Sequence, residues 1–179
     1  MSISKSISSL VAAAIAFTTV MYAGVTRAQA PQAASAATPR PPIGPPAFMP
    51  DAAASKIVSV ARSGTAQARL VIVTEAVAVN ETGPKATLKR FGEVYAFSPA
   101  SIFVRQNQST RITFWNLQPE DEHDFSIVDA AGKPMMDLPL APLSQTSFIF
   151  TFHRPGILQF RCLVHQPGMS GQILVLPER

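Results

Sequence analysis

From residue 68 onward, apolar and polar positions alternate in short runs separated by turn-forming residues. Residues 68–79 form a β-branched run that stops at Asn80, Gly83 and Pro84, the punctuation expected where a strand gives way to a turn. Two further runs, 101–105 and 110–115, are parted by the polar stretch 106–109. Phe148, Phe150 and Phe152 recur with period two, so one face of that segment is buried and the other is not. Arg154, Pro155 and Gly156 turn the chain into residues 157–162, and 171–176 closes it. Helical periodicity is nearly absent. Short strands at roughly regular spacing predict an all-β domain over residues 66–179, either sandwich or barrel.

The N-terminal third reads differently. Lys5 precedes an apolar stretch at residues 10–25, and small residues follow at Ala28 and Ala30. These are the parts of a secretory signal peptide over residues 1–30. The stretch is shorter than the ~20 apolar residues a spanning helix needs, so cleavage is expected and no membrane span remains after it. Residues 31–50 hold seven prolines and five alanines, a composition that favours an extended spacer over a packed element. Residues 51–65 are rich in Ala and Ser and are read as a continuation of that linker (31–65) or a frayed helix.

Charge narrows the functional classes little. Removing Lys5 and Arg27 with the leader leaves 13 cations against 11 acids. A net charge of +2 lacks the basic stripe that nucleic-acid binding requires. Cysteine usage is more informative. Exported proteins usually carry cysteines in pairs as disulfides, yet Cys162 is the sole cysteine of the chain. A lone thiol in that setting implies an intermolecular bridge, a reactive thiol or a metal ligand.

Its neighbours choose among these. Cys162, His165 and Met169 place a thiolate, an imidazole and a thioether within eight residues. Soft sulfur with imidazole suits copper or zinc, and two His with one Cys beside a weak axial Met is an electron-transfer copper arrangement. The second His is either His123 or His153. On the strand ending at Cys162, that residue shares the apolar face with Leu158 and Phe160. His123 shares a face with Phe125 and Ile127 at the start of its own strand. If these strands run antiparallel, both residues lie at one pole. His153 adjoins the turn at the opposite end, about 15–20 Å away along a strand, and is expected at the surface.

The flanks of these residues also carry a family likeness. Residues 95–99 stand ahead of an Ile/Val strand, and Phe114, Trp115 and Asn116 lead to His123. Phe152, His153, Arg154, Pro155 and Gly156 follow, and then Cys162, His165, Met169 and Gly171. Over about residues 94–176 the chain resembles a cupredoxin of the plastocyanin/azurin group. The resemblance implies a Greek-key β-sandwich binding one type 1 copper through His123, Cys162, His165 and Met169, with one-electron transfer as its role. It also implies that the His165 imidazole is the electron's exit. Two departures stand out. Three residues separate His165 from Met169, where family members carry two or four. Asp124 occupies a position often held by Asn, and a carboxylate there would favour oxidised copper and lower the potential.

No general base, nucleophile–base pair or open metal position is apparent, so no enzymatic activity is expected. The reading is a periplasmic or secreted copper protein, monomeric, shuttling one electron to an unidentified redox partner. The alternatives are a copper delivery or buffering protein, and a cupredoxin subunit tethered to a larger oxidase or reductase. Met135 and Met136 are expected to pack within a loop rather than collect copper. The run Glu120, Asp121, Glu122 and Asp124 is expected to be a solvated loop, with partner docking as the alternative.

Overall fold

A computed structural model of the chain describes residues 47–178. The expected leader and residues 31–46 of the spacer lie outside the described residues. The period-two runs fold as strands that bury one face against a second sheet. Strands β1 (Val58–Ala61), β2 (Ala68–Ala78), β3 (Val94–Ser98), β5 (Thr110–Asn116) and β8 (Ser144–Phe152) make one sheet, in the order β1-β8-β5-β2-β3. Strands β4 (Ser101–Arg105), β6 (His123–Val128), β7 (Pro134–Leu140), β9 (Gly156–Arg161) and β10 (Ser170–Leu176) make the other, in the order β4-β10-β9-β6-β7. Only β2–β3, β6–β7 and β9–β10 join strands consecutive in sequence. The remaining neighbours are brought together by crossovers between sheets, as Greek-key connections require. The fold is the all-β sandwich that the alternation predicts.

The interior is aromatic. Phe125 lies at the centre, with ring centroids 4.6 Å from Phe114, 4.8 Å from Phe160, 5.8 Å from Phe97 and 6.1 Å from Phe150. The predicted face of β8 is confirmed, since Phe148, Phe150 and Phe152 are all buried. Each such ring removes 150–250 Å² from water, and the tilted and edge-to-face pairings add to that burial. Gly171 is required by close approach: a Cβ there would run into the Ala100 carbonyl oxygen and the Phe160 ring.

Five elements lie outside the strands that the alternation predicts. β1 and the 3-10 turn at Ala54–Lys56 lie within residues read as spacer. Val58 is fully buried, and β1 pairs antiparallel with β8 from Val58↔Phe152 to Ala61↔Ile149. Four residues are too few for a visible period. Met135 and Met136, expected in a loop, lie in β7, a strand that carries Pro134 and Pro139. It is an edge strand, where proline is tolerated because one row of N–H groups has no ladder partner. Met136, Leu138 and Leu140 on it are buried. β3 places Tyr95 and Phe97 in the core. The helix α1 (Lys85–Phe91) is seven residues long, below the window in which a 3.6-residue period shows, and follows Pro84, a residue suited to helix starts.

Candidate metal centre

Strand pairing sets the position of the donors. β6 and β9 run antiparallel with Ser126 opposite Arg161 and Ile127 opposite Phe160. The start of β6 therefore lies beside the end of β9. His123 opens the one and Cys162 follows the other, so imidazole and thiol meet at a single pole. His123, Cys162 and Met169 are fully buried, while His165 is half-buried.

One ligand atom from each of His123, Cys162 and His165 lies within 4.8 Å of the others. The two histidine Nδ1 atoms are 3.0 Å apart, and Cys162 Sγ is 3.7 Å from His165 Nδ1. Residues 162–169 close into a tight loop. The Cys162 N–H donates to the Met169 carbonyl at 2.9 Å, and the Met169 N–H donates to the His165 carbonyl at 3.2 Å. The Gln166 amide donates to the carbonyls of Cys162 and Met169. Met169, four positions beyond His165, is thereby turned back into the interior.

Residues outside the donor set hold it in place. Asp124 accepts the Leu163 N–H through both carboxylate oxygens, at 2.8 and 3.0 Å. The Cys162 thiol donates to the same carboxylate at 3.5 Å. Tyr95 lies against both imidazoles, with ring centroids 4.9 Å from His123 and 4.5 Å from His165. Its hydroxyl donates to Asp121 at 2.7 Å. The far ring nitrogen of His123, Nε2, lies 3.2 Å from the Gln118 side-chain oxygen.

Burial dominates the electrostatics. It pushes the His123 imidazole down to about 4, with the neighbouring His165 adding to the fall and Asp121 opposing it. Burial also lowers His165, against the pull of Asp121 and Glu93. The imidazoles are therefore neutral near pH 7 and available as ligands. Burial pushes the Cys162 thiol up to about 11, so a metal must displace a proton to gain the thiolate. Asp124 is held above the ordinary carboxylate range by burial first, with the Leu163 N–H opposing and Asp137 reinforcing the rise.

The structure brings His123, Cys162 and His165 together and leaves His153 apart. His153 is half-buried rather than free at the surface, bonded to Ser59 at 2.9 Å and Asn107 at 3.1 Å. The acidic run is not a uniformly solvated loop: Glu120 is exposed, but Asp121 binds Tyr95 and Asp124 is buried. Met136 packs in the core, within β7 rather than in a loop. Tyr95 and Gln118 are not marked as site residues by sequence: Tyr95 acts from β3, which only folding brings close, and Gln118, though five positions before His123, sits in a turn with no periodic pattern. The period-two pattern of β3 places Tyr95 inside; nothing local marks Gln118.

The donor set fits a type 1 copper site. Two neutral imidazoles and a thiol converge at this pole, and the loop that carries two of them ends on a buried methionine, Met169, the donor types such copper takes. Structural zinc takes four Cys, His or carboxylate donors, and among the described residues three such donors, His123, Cys162 and His165, converge within 4.8 Å.

No protein-family model matches the chain. A comparison with curated proteins also finds no match. Solved structures resemble it in fold. Auracyanin B is 15% identical, over 68% of this chain and 99% of that one, with a TM-score of 0.47. Reduced auracyanin from Roseiflexus castenholzii is 20% identical, over 63% and 100%, at 0.46. Copper nitrite reductase from Nitrosomonas europaea is 9% identical, over 64% of this chain and 50% of that one, at 0.48. These neighbours are cupredoxins or contain the cupredoxin sandwich. What the pole of this sandwich holds is set by its own donors.

Proposed function

We propose that this protein is an exported type 1 copper protein that carries single electrons, with His123, Cys162 and His165 as the equatorial ligands and Met169 as the axial one. The observation that carries the reading is the convergence of two imidazole Nδ1 atoms and one thiol within 4.8 Å at a buried pole. Copper in such a site supplies a one-electron couple, Cu(I)/Cu(II). The chain's part is to hold the donors rigidly, exclude water and leave one edge accessible. Buried β6 and the closed 162–169 loop do the first two. His165 does the third, being half-buried beside Leu163 and Val164, which are 39% and 62% exposed. An apolar rim lets a partner approach without stripping charged groups of water. The leader-like residues 1–30 support a periplasmic or secreted setting, and no helix among the described residues is long and apolar enough to cross a membrane.

Film voltammetry of the copper-loaded protein separates a carrier from a delivery protein. A carrier gives a reversible one-electron wave that survives repeated cycling. Loss of copper on oxidation, with the wave fading over successive cycles, would favour delivery and contradict the proposal.

A further inference from the structure

Gln118 sits in the turn between β5 and β6 and is 9% exposed. Both of its ends are held. Its backbone N–H donates to the Asn116 side-chain oxygen at 3.1 Å, and its carbonyl accepts the Leu143 N–H at 3.0 Å. Its side-chain NH2 donates to the Thr74 carbonyl at 3.3 Å. Asn116 is fixed in turn by donating to the carbonyls of Asp121 at 2.8 Å and Leu140 at 2.9 Å.

These bonds settle which way the amide points. The Thr74 carbonyl is an acceptor and takes only the NH2 end, so the Gln118 oxygen faces His123 Nε2, 3.2 Å away. That oxygen also accepts the Thr74 hydroxyl. An amide oxygen cannot donate; the ring nitrogen opposite it must carry the proton. With Nε2 protonated, the lone pair of the neutral ring lies on Nδ1, which faces His165 Nδ1 at 3.0 Å and the thiol of Cys162 beyond.

We infer that Gln118 is a positioning residue that fixes His123 as the Nε2–H tautomer and so presents Nδ1 to the metal. This rests on His123 being a ligand, as proposed above. The partner of a ligating histidine's second N–H orients the ring and raises its basicity, and losing it typically costs 10–100-fold in metal affinity. The sequence supplies a partner side chain here, anchored from β2 through Thr74.

Nitrogen-15 NMR of the metal-free and Cu(I)-loaded wild type reads the tautomer directly. The expected spectrum shows His123 protonated on Nε2 in both states, with slow exchange of that proton. Protonation on Nδ1 in the metal-free protein would overturn the inference, and this reading needs no variant to fold. Gln118→Leu, which offers no acceptor, should lose the slow exchange and about 10–100-fold in Cu(I) affinity by chelator competition. Gln118→Glu, which keeps an acceptor facing Nε2, should retain the tautomer and most of the affinity. Wild-type affinity and exchange in a folded Gln118→Leu protein would contradict it. A protein with the Nε2–H tautomer but no type 1 copper spectrum would sink the copper reading and leave the tautomer assignment standing.

Discussion

The Asp124 carboxylate accepts the Leu163 N–H at 2.8 and 3.0 Å from its two oxygens, tying the start of β6 to the loop that carries the cysteine, the second histidine and the methionine. An uncharged Asn would keep one of these bonds, so the carboxylate's distinctive contribution is its charge. Asp124→Asn should therefore leave the loop closed and raise the reduction potential, because a nearby negative charge favours the more positive ion. Unit charges a few ångströms apart interact by roughly 4 kcal/mol at an effective dielectric near 20. With ~59 mV per tenfold for one electron, the rise is on the order of 100 mV. Voltammetry checks it, and a fall in potential would contradict the assignment.

The two histidines outside the ligand loop should behave differently. His123→Ala removes a buried ligand and opens the pole to added imidazole, which should restore part of the copper spectrum. His153→Ala should leave that spectrum alone and cost about 1 kcal/mol of stability through its lost bonds to Ser59 and Asn107. Imidazole titration and thermal unfolding distinguish them. A reversed pattern would refute the β6–β9 arrangement of the site.

Val164 and Pro139 line a shallow cleft at His165 that also takes in Glu120 and Glu122. If the electron leaves through His165, two copies of the protein exchange electrons across this rim. Val164→Asp adds a negative charge to a rim that already carries Glu120 and Glu122, on both sides of that encounter. Electron self-exchange, measured by NMR line broadening in mixtures of oxidised and reduced protein, should slow about tenfold or more, since like-charge juxtaposition costs several kcal/mol. The copper spectrum should not change. Unaltered self-exchange would place the exit elsewhere.

Phe125 touches four aromatic rings at the centre of the sandwich. Phe125→Ala should lower stability by about 3–5 kcal/mol, the usual cost of emptying an aromatic core position. Denaturant unfolding of the metal-free protein measures this without interference from copper.

The sandwich and the site differ in how far sequence reveals them. Period-two runs such as that ending in Phe152, and the spacing of Cys162, His165 and Met169, are local signals, and parity brings His123 to the same pole as Cys162 once the two strands are taken as antiparallel, as they are. β7 stayed hidden because Pro134 and Pro139 argue against a strand until its edge position is known. β1 stayed hidden because Val58 gains its meaning only opposite Phe152. Gln118 and Tyr95 reach the histidines from separate elements, 5 and 28 positions before His123 in the chain. Tyr95 depends on tertiary placement, and Gln118, near His123 in sequence, gains its role only when Thr74, 44 positions earlier, fixes its side chain.

The visible absorption spectrum of the protein loaded with one equivalent of Cu(II) tests the central claim most directly. Coordination by the Cys162 thiolate predicts an intense blue thiolate-to-copper charge-transfer band that saturates at one copper per chain and vanishes in a folded Cys162→Ser variant. A pale copper complex lacking that band, or a band that survives Cys162→Ser, would contradict the account.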